Sequence, residues 1–139
     1  MEILKKSRGF TLIELMLVII IIGVLVGMVV PRLTGRSQQA KIAAAQADIN
    51  AHLSAALDLF EVDNGRYPTT EEGLAALRTT PSGAPRWKGP YLKRPVPLDP
   101  WGKPYVYRSP GQHNREDYDL FSYGPDGVEG GQDDITNWK

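Results

Sequence analysis

From Phe10 to Val30 the chain reads FTLIELMLVIIIIGVLVGMVV, twenty-one residues with a single charge, Glu14, and Pro31 closes the run. At about 1.5 Å per helical residue this spans roughly 30 Å, the hydrocarbon thickness of a bilayer. That length disfavours a helix buried in a soluble core. The preceding residues, MEILKKSRG, set Lys5, Lys6 and Arg8 against Glu2. Basic flanks stay on the cytoplasmic side, so residues 1–9 are expected inside and the rest of the chain outside. An ordinary cleaved signal peptide requires small residues after the apolar core, and the Val-rich stretch before Pro31 is a poor match. A plain membrane anchor explains the length but not Glu14.

A carboxylate within a membrane span costs about 2.5–3.5 kcal/mol on insertion scales, and such groups usually have a partner and a function. If the chain were cut after Gly9, the new α-amine of Phe10 would be positive. Glu14 lies four residues further on, one helical turn away. It can pair with its own terminus or with that of a neighbouring copy, and only the second drives assembly. The segment Gly9-Phe10-Thr11-Leu12-Ile13-Glu14 resembles the prepilin leader junction shared by type IV pilins and type II secretion pseudopilins. Its short basic leader, Gly before the cut, Phe after it and Glu at the fifth mature position all match. The resemblance implies cleavage between Gly9 and Phe10 by a membrane prepilin peptidase, and N-methylation of Phe10.

Beyond Pro31, Ile42, Ile49, Leu53, Leu57 and Phe60 recur at helical spacing. Alanine, the strongest helix former, is abundant between Ala40 and Ala56. Asn64-Gly65 is a C-terminal stop signal. One helix is therefore expected from Phe10 to about Asp63, apolar all round in its first half and amphipathic in its second. Pro31, which lacks a donor and clashes with the carbonyl four residues back, predicts a helix break, either a kink or a melted stretch. Such a break is either a bend at the membrane surface or a joint that lets subunits pack. His52 has no second ligand at helical spacing and is read as a surface or core-edge residue.

The remaining chain must cover the amphipathic half. Thr69 to Glu72 has the capping-box pattern, which predicts a short helix over 73–78. A Pro-rich loop follows, with Trp87 and Tyr91 as its pinning aromatics. Tyr105–Arg108 and Tyr118–Tyr123 have strand character, and the polar connection containing Pro110-Gly111 predicts an antiparallel pair. The expected fold class is α+β, a long N-terminal helix packed on a small antiparallel sheet. Its expected divisions are a leader (1–9), an apolar membrane and assembly helix (10–31) and an extracytoplasmic domain (32–139). That domain comprises an amphipathic helix (32–64) and a loop-and-sheet region (65–139).

The run Pro97-Leu98-Asp99-Pro100-Trp101-Gly102-Lys103-Pro104-Tyr105 resembles the matching run of major type II pseudopilins, and Tyr67-Pro68-Thr69 fits as well. With the N-terminus, the resemblance covers nearly the whole chain. Sixteen basic residues balance sixteen acidic ones, so no net field selects nucleic acid. Without cysteine the small domain has no disulfide, and a bound metal is one alternative staple.

Residues 123–135 read YGPDGVEGGQDDI, with four carboxylates and four glycines. Hard oxygen donors on a tightly wrapped loop suit calcium, although the spacing is not that of an EF-hand. By composition alone the loop reads first as a solvated acidic turn. The family resemblance implies calcium, with Asp126, Asp133 and Asp134 as carboxylate ligands and the backbone of Tyr123 and Gly131 completing the set. Glu129 is not among them.

The resemblance further implies a homopolymer, a helical periplasmic filament grown from the inner membrane. Its expected partners are minor pseudopilins, the prepilin peptidase, an inner-membrane assembly platform and, before assembly, lipid. The expected role is structural: driving folded proteins across the outer membrane. A type IV pilus pilin and a membrane-anchored calcium module that never polymerises are the rivals. An enzyme is the least supported class, since His52 and His113 sit in unrelated contexts and no nucleophile has partners in view.

Overall fold

The computed structural model describes residues 9–138, apart from the side chains of 31–34. The basic leader therefore lies outside the described residues up to Arg8. The chain divides into two compact units, Met1–Ser37 and Gln38–Lys139.

The first unit carries the apolar part of helix α1, which runs over Leu12–Ala47. Thr11 and Glu14 open it with a loose capping box. The Thr11 N–H and hydroxyl each donate to Glu14 Oε2 at 3.4 Å, and the Glu14 N–H donates to Thr11 Oγ1 at 3.3 Å. The large apolar side chains from Phe10 to Val30 are 46–86% exposed. The backbone stays helical across Pro31, so the expected helix break is not a melted stretch. A single proline removes one ladder bond, which flanking turns can absorb.

The irregularity falls elsewhere. Asp48–Leu53 forms a π-helical turn, after which α2 continues over Ser54–Asn64. Its cause is legible in the packing. Ala45, Ile49 and Leu53 are all fully buried and follow one another at steps of four. In an α-helix two such steps drift about 80° past two full turns. A wider i→i+5 turn absorbs the surplus and keeps all three on the core face. Leu57 and Phe60 extend the same stripe, both fully buried. Gly65 ends α2 in the left-handed region at φ 75°, its N–H on the Glu61 carbonyl.

The capping box at Thr69 and Glu72 forms reciprocally, at 2.9 and 3.2 Å. It does not start the expected α-helix. Gly73 takes φ 59° and ψ −166°, and a short 3-10 helix over Leu74–Leu77 follows. The Pro-rich loop is pinned as its aromatics predict. Trp87 Nε1 donates to the Ala76 carbonyl at 2.8 Å, and the Tyr91 hydroxyl donates to Asp63 Oδ2 at 2.9 Å.

Three short strands form one antiparallel sheet in the order β1-β2-β3: β1 Val106–Arg108, β2 Asp119–Ser122 and β3 Ile135–Thr136. Tyr107 pairs with Leu120 and Ser122 with Ile135. The expected pair is present, and β3 is an addition, since two residues are too few to carry an alternating pattern. Its consequence is positional. Residues 123–134 become a hairpin loop with both ends fixed in the sheet.

Candidate metal centre and assembly terminus

The hairpin loop brings Asp126, Asp133 and Asp134 together. One carboxylate oxygen from each lies within 4.8 Å of the others. Each carboxylate is tethered by a single oxygen. The Val128 N–H donates to Asp126 Oδ1 at 2.8 Å, the Asp126 N–H to Asp133 Oδ2 at 3.1 Å, and the Gly130 N–H to Asp134 Oδ2 at 2.9 Å. The remaining oxygen of Asp134, Oδ1, is buried without a hydrogen-bond partner. The remaining oxygens of Asp133 and Asp126 border Gly131, where an added Cβ would meet them both. Three hard oxygens oriented by backbone donors, one of them orphaned, fit an oxygen-liganded cation such as calcium. Gly131 thus lies against the cluster, whereas Tyr123 opens the loop directly after β2.

Glu129 points elsewhere. It receives both guanidinium nitrogens of Arg108, at 2.8 and 3.0 Å. That bond and the Arg108 charge hold its carboxyl below the usual range. Arg108 in turn lies over the Phe121 ring, 5.2 Å from its centroid.

Several residues hold the surrounding turns in roles the sequence does not announce, although Asp99 and Lys103 lie in the run that carries the family resemblance. Asp99 is buried. It accepts the Trp101 and Lys103 N–H groups on Oδ1, at 3.0 and 2.8 Å, and the Ser122 hydroxyl on Oδ2 at 2.6 Å. Lys103 Nζ donates to the Gly127 carbonyl at 2.7 Å. Asp119, fully buried, holds the 109–117 connection by accepting the N–H groups of Gln112, His113 and Asn114 at 2.7–2.9 Å. Burial pushes its carboxyl up, but these donors and the His113 ring outweigh that and hold it below the usual range. Thr11 could have been found, since Thr11-x-x-Glu14 is itself a capping-box pattern.

At the N-terminus Gly9 and Phe10 precede the helix, and Phe10 is 86% exposed. Glu14 sits on the first turn with only Thr11 as a hydrogen-bonding partner among the described residues.

An apolar helical terminus bearing one carboxylate, followed by a small α+β head whose sheet frames an acidic loop, defines a pilin-like subunit. Comparison with known proteins agrees. The family described as "Type II secretion system (T2SS), protein G" matches residues 32–138, and the "Prokaryotic N-terminal methylation motif" matches residues 4–30. The type II secretion system core protein G of Klebsiella pneumoniae is 48% identical, covering 97% of this chain and 96% of that protein. That of Escherichia coli K12 is 49% identical, covering 99% and 95%. The crystal structure of the major pseudopilin from the type 2 secretion system of enterohaemorrhagic Escherichia coli matches with a TM-score of 0.64 at 42% identity. That match covers 76% of this chain and 89% of that one. The chain belongs to the type II secretion system protein G family, that of the major pseudopilins.

Proposed function

We propose that this chain is the repeating subunit of a periplasmic filament, held in the inner membrane until it assembles. One observation carries the reading: an exposed apolar helix whose only charge between Phe10 and Val30 sits one turn from the terminus that leader removal would create. A prepilin peptidase cuts between Gly9 and Phe10, and Phe10 is N-methylated. In the monomer Glu14 has only a loose bond to Thr11. In the filament it meets the ammonium of a neighbour's Phe10, so the unpaired charge that lipid penalises becomes a paired one. The apolar helices form the filament core. Growth on an assembly platform, with minor pseudopilins as further subunits, moves folded proteins outward through the outer membrane.

The acidic loop binds calcium through Asp126, Asp133 and Asp134, with backbone carbonyls at Tyr123 and Gly131. The orphaned Asp134 oxygen and the side-chain-free floor at Gly131 support it. Calcium supplies charge neutralisation there and staples a hairpin that has no disulfide.

Two measurements test the filament reading. The intact mass of the membrane-extracted protein is expected to show loss of residues 1–9 and gain of one methyl group. Cysteines placed next to Glu14 and next to Phe10 are expected to cross-link between copies. A mature chain that still begins with Met1, or cross-links confined to single chains, would leave only a membrane-anchored module.

A further inference from the structure

The Asp99–Lys103 turn is not part of the acidic loop, yet two chains of hydrogen bonds lead from Asp99 to it. The first passes through Ser122. Its hydroxyl donates to Asp99 Oδ2 at 2.6 Å, which leaves its lone pairs for the Gly124 N–H at 3.1 Å. Gly124, at φ 66°, lies so close to the Asp133 carbonyl that a Cβ there would collide with it. The second passes through Lys103. Its N–H is held by Asp99 Oδ1 at 2.8 Å, and its Nζ holds the Gly127 carbonyl at 2.7 Å, one residue beyond Asp126. Both chains end on the incoming limb of the loop, at Gly124 and Gly127; Gly124 packs against the Asp133 carbonyl of the returning limb, and Gly127 follows Asp126.

We propose that Asp99, Ser122 and Lys103 are positioning residues for the metal loop: one buried carboxylate fixes the incoming limb of the hairpin, against which the returning limb packs at Gly124, so that the free oxygens of Asp126 and Asp133 converge. The inference rests on the calcium reading above. Its physical basis is general. A loop ligand is as well placed as the groups behind it; loss of a group bonded to a ligand typically weakens metal affinity about 10–100-fold, and supports one bond further out act at the low end of that range. Asp99 is fit for the role. It is 4% exposed, and three donors converge on its two oxygens.

Lys103 separates positioning from electrostatics by sign. By charge alone, removing an ammonium from beside a cation site would tighten calcium binding. As a support for the Gly127 carbonyl, its removal would loosen binding.

The test is calorimetric titration of calcium into the full-length mature chain in detergent, with apo melting temperature measured alongside. Ser122→Ala is expected to weaken calcium binding about tenfold or more. Lys103→Met is expected to weaken it severalfold, and Lys103→Arg, which keeps a donor, to restore most of it. All are expected to retain a cooperative apo transition. Unchanged affinity in Ser122→Ala, or unchanged or tighter binding in Lys103→Met, overturns the proposal. Should Ser122→Ala fail to fold, the exposed Lys103 pair decides alone. Wild-type protein that binds no calcium defeats the metal reading itself, and with it this inference, a result distinct from a wild type that binds and variants that bind equally well.

Discussion

The Tyr105 hydroxyl donates to Asp48 Oδ2 at 2.8 Å, joining the end of the DPWGKPY run to the π-helical turn fifty-seven residues earlier. Asp48 uses its other oxygen on His52 Nδ1 at 2.9 Å. Tyr105 is buried while Asp48 is partly exposed, so the bond lies at the edge of the core. Hydrogen bonds to charged groups contribute about 1.5–3 kcal/mol. Tyr105→Phe should therefore lower unfolding free energy by about that amount. Asp48→Asn, which keeps an acceptor, should cost less. Denaturant unfolding of Tyr105→Phe, Asp48→Ala and their double mutant gives the coupling directly, since each single change removes the bond. A coupling near zero would show that the bond is incidental.

The domain should lose stability in strong alkali, above about pH 10. Burial, the leading cause in each, raises the phenols of Tyr67, Tyr105, Tyr107 and Tyr118 above their ordinary value of 10. Below pH 10 both folded and unfolded chains keep these protons, and the full stability is present. Above it only the unfolded chain releases them, so stability is lost as pH rises. Each phenol held protonated costs up to about 1.4 kcal/mol per pH unit. Melting temperatures between pH 8 and 11 should stay flat to about pH 10 and then fall. A profile flat through pH 11 would mean these rings are open to water.

Calcium should stabilise the head domain by mass action. At a free concentration one hundred times the dissociation constant the gain is about 2.7 kcal/mol. Excess chelator should lower the melting temperature accordingly. Asp126→Ala and Asp134→Ala should abolish the difference between the calcium and chelator curves. A wild-type curve indifferent to chelator would remove the structural-calcium reading.

Glu14→Ala should leave leader removal intact and stop filament growth. On the function proposed above the cut falls between Gly9 and Phe10, whereas the carboxylate acts only once a neighbour's ammonium is in reach. Electron microscopy of membranes overproducing the variant, with intact mass from the same preparation, checks both halves. Normal filaments in that variant would rule out charge pairing as the driving force.

Much of the fold is legible in the sequence because its signals are local. The apolar run and its carboxylate, the stripe Ile49-Leu53-Leu57-Phe60, the stop at Gly65 and the Thr69–Glu72 box each depend on residues within a few turns of one another. The metal candidates Asp126, Asp133 and Asp134 are legible only as a composition, and their roles came from resemblance. The π-turn was missed because steps of four read equally well as an α-helical stripe. Only the demand that Ala45, Ile49 and Leu53 share one buried face makes it necessary.

Sequence alone determined which segment seeks an apolar environment, where the long helix stops, and where the acidic loop lies. Tertiary structure alone decided that Asp99 stands behind that loop, that Ile135 closes it into a hairpin, and that Glu129, already outside the ligand set implied by resemblance, pairs with Arg108. The division has one physical reason. Propensity and periodicity act between residues close along the chain, whereas Asp99 and Ser122, twenty-three residues apart, meet only after the core has brought their backbones together.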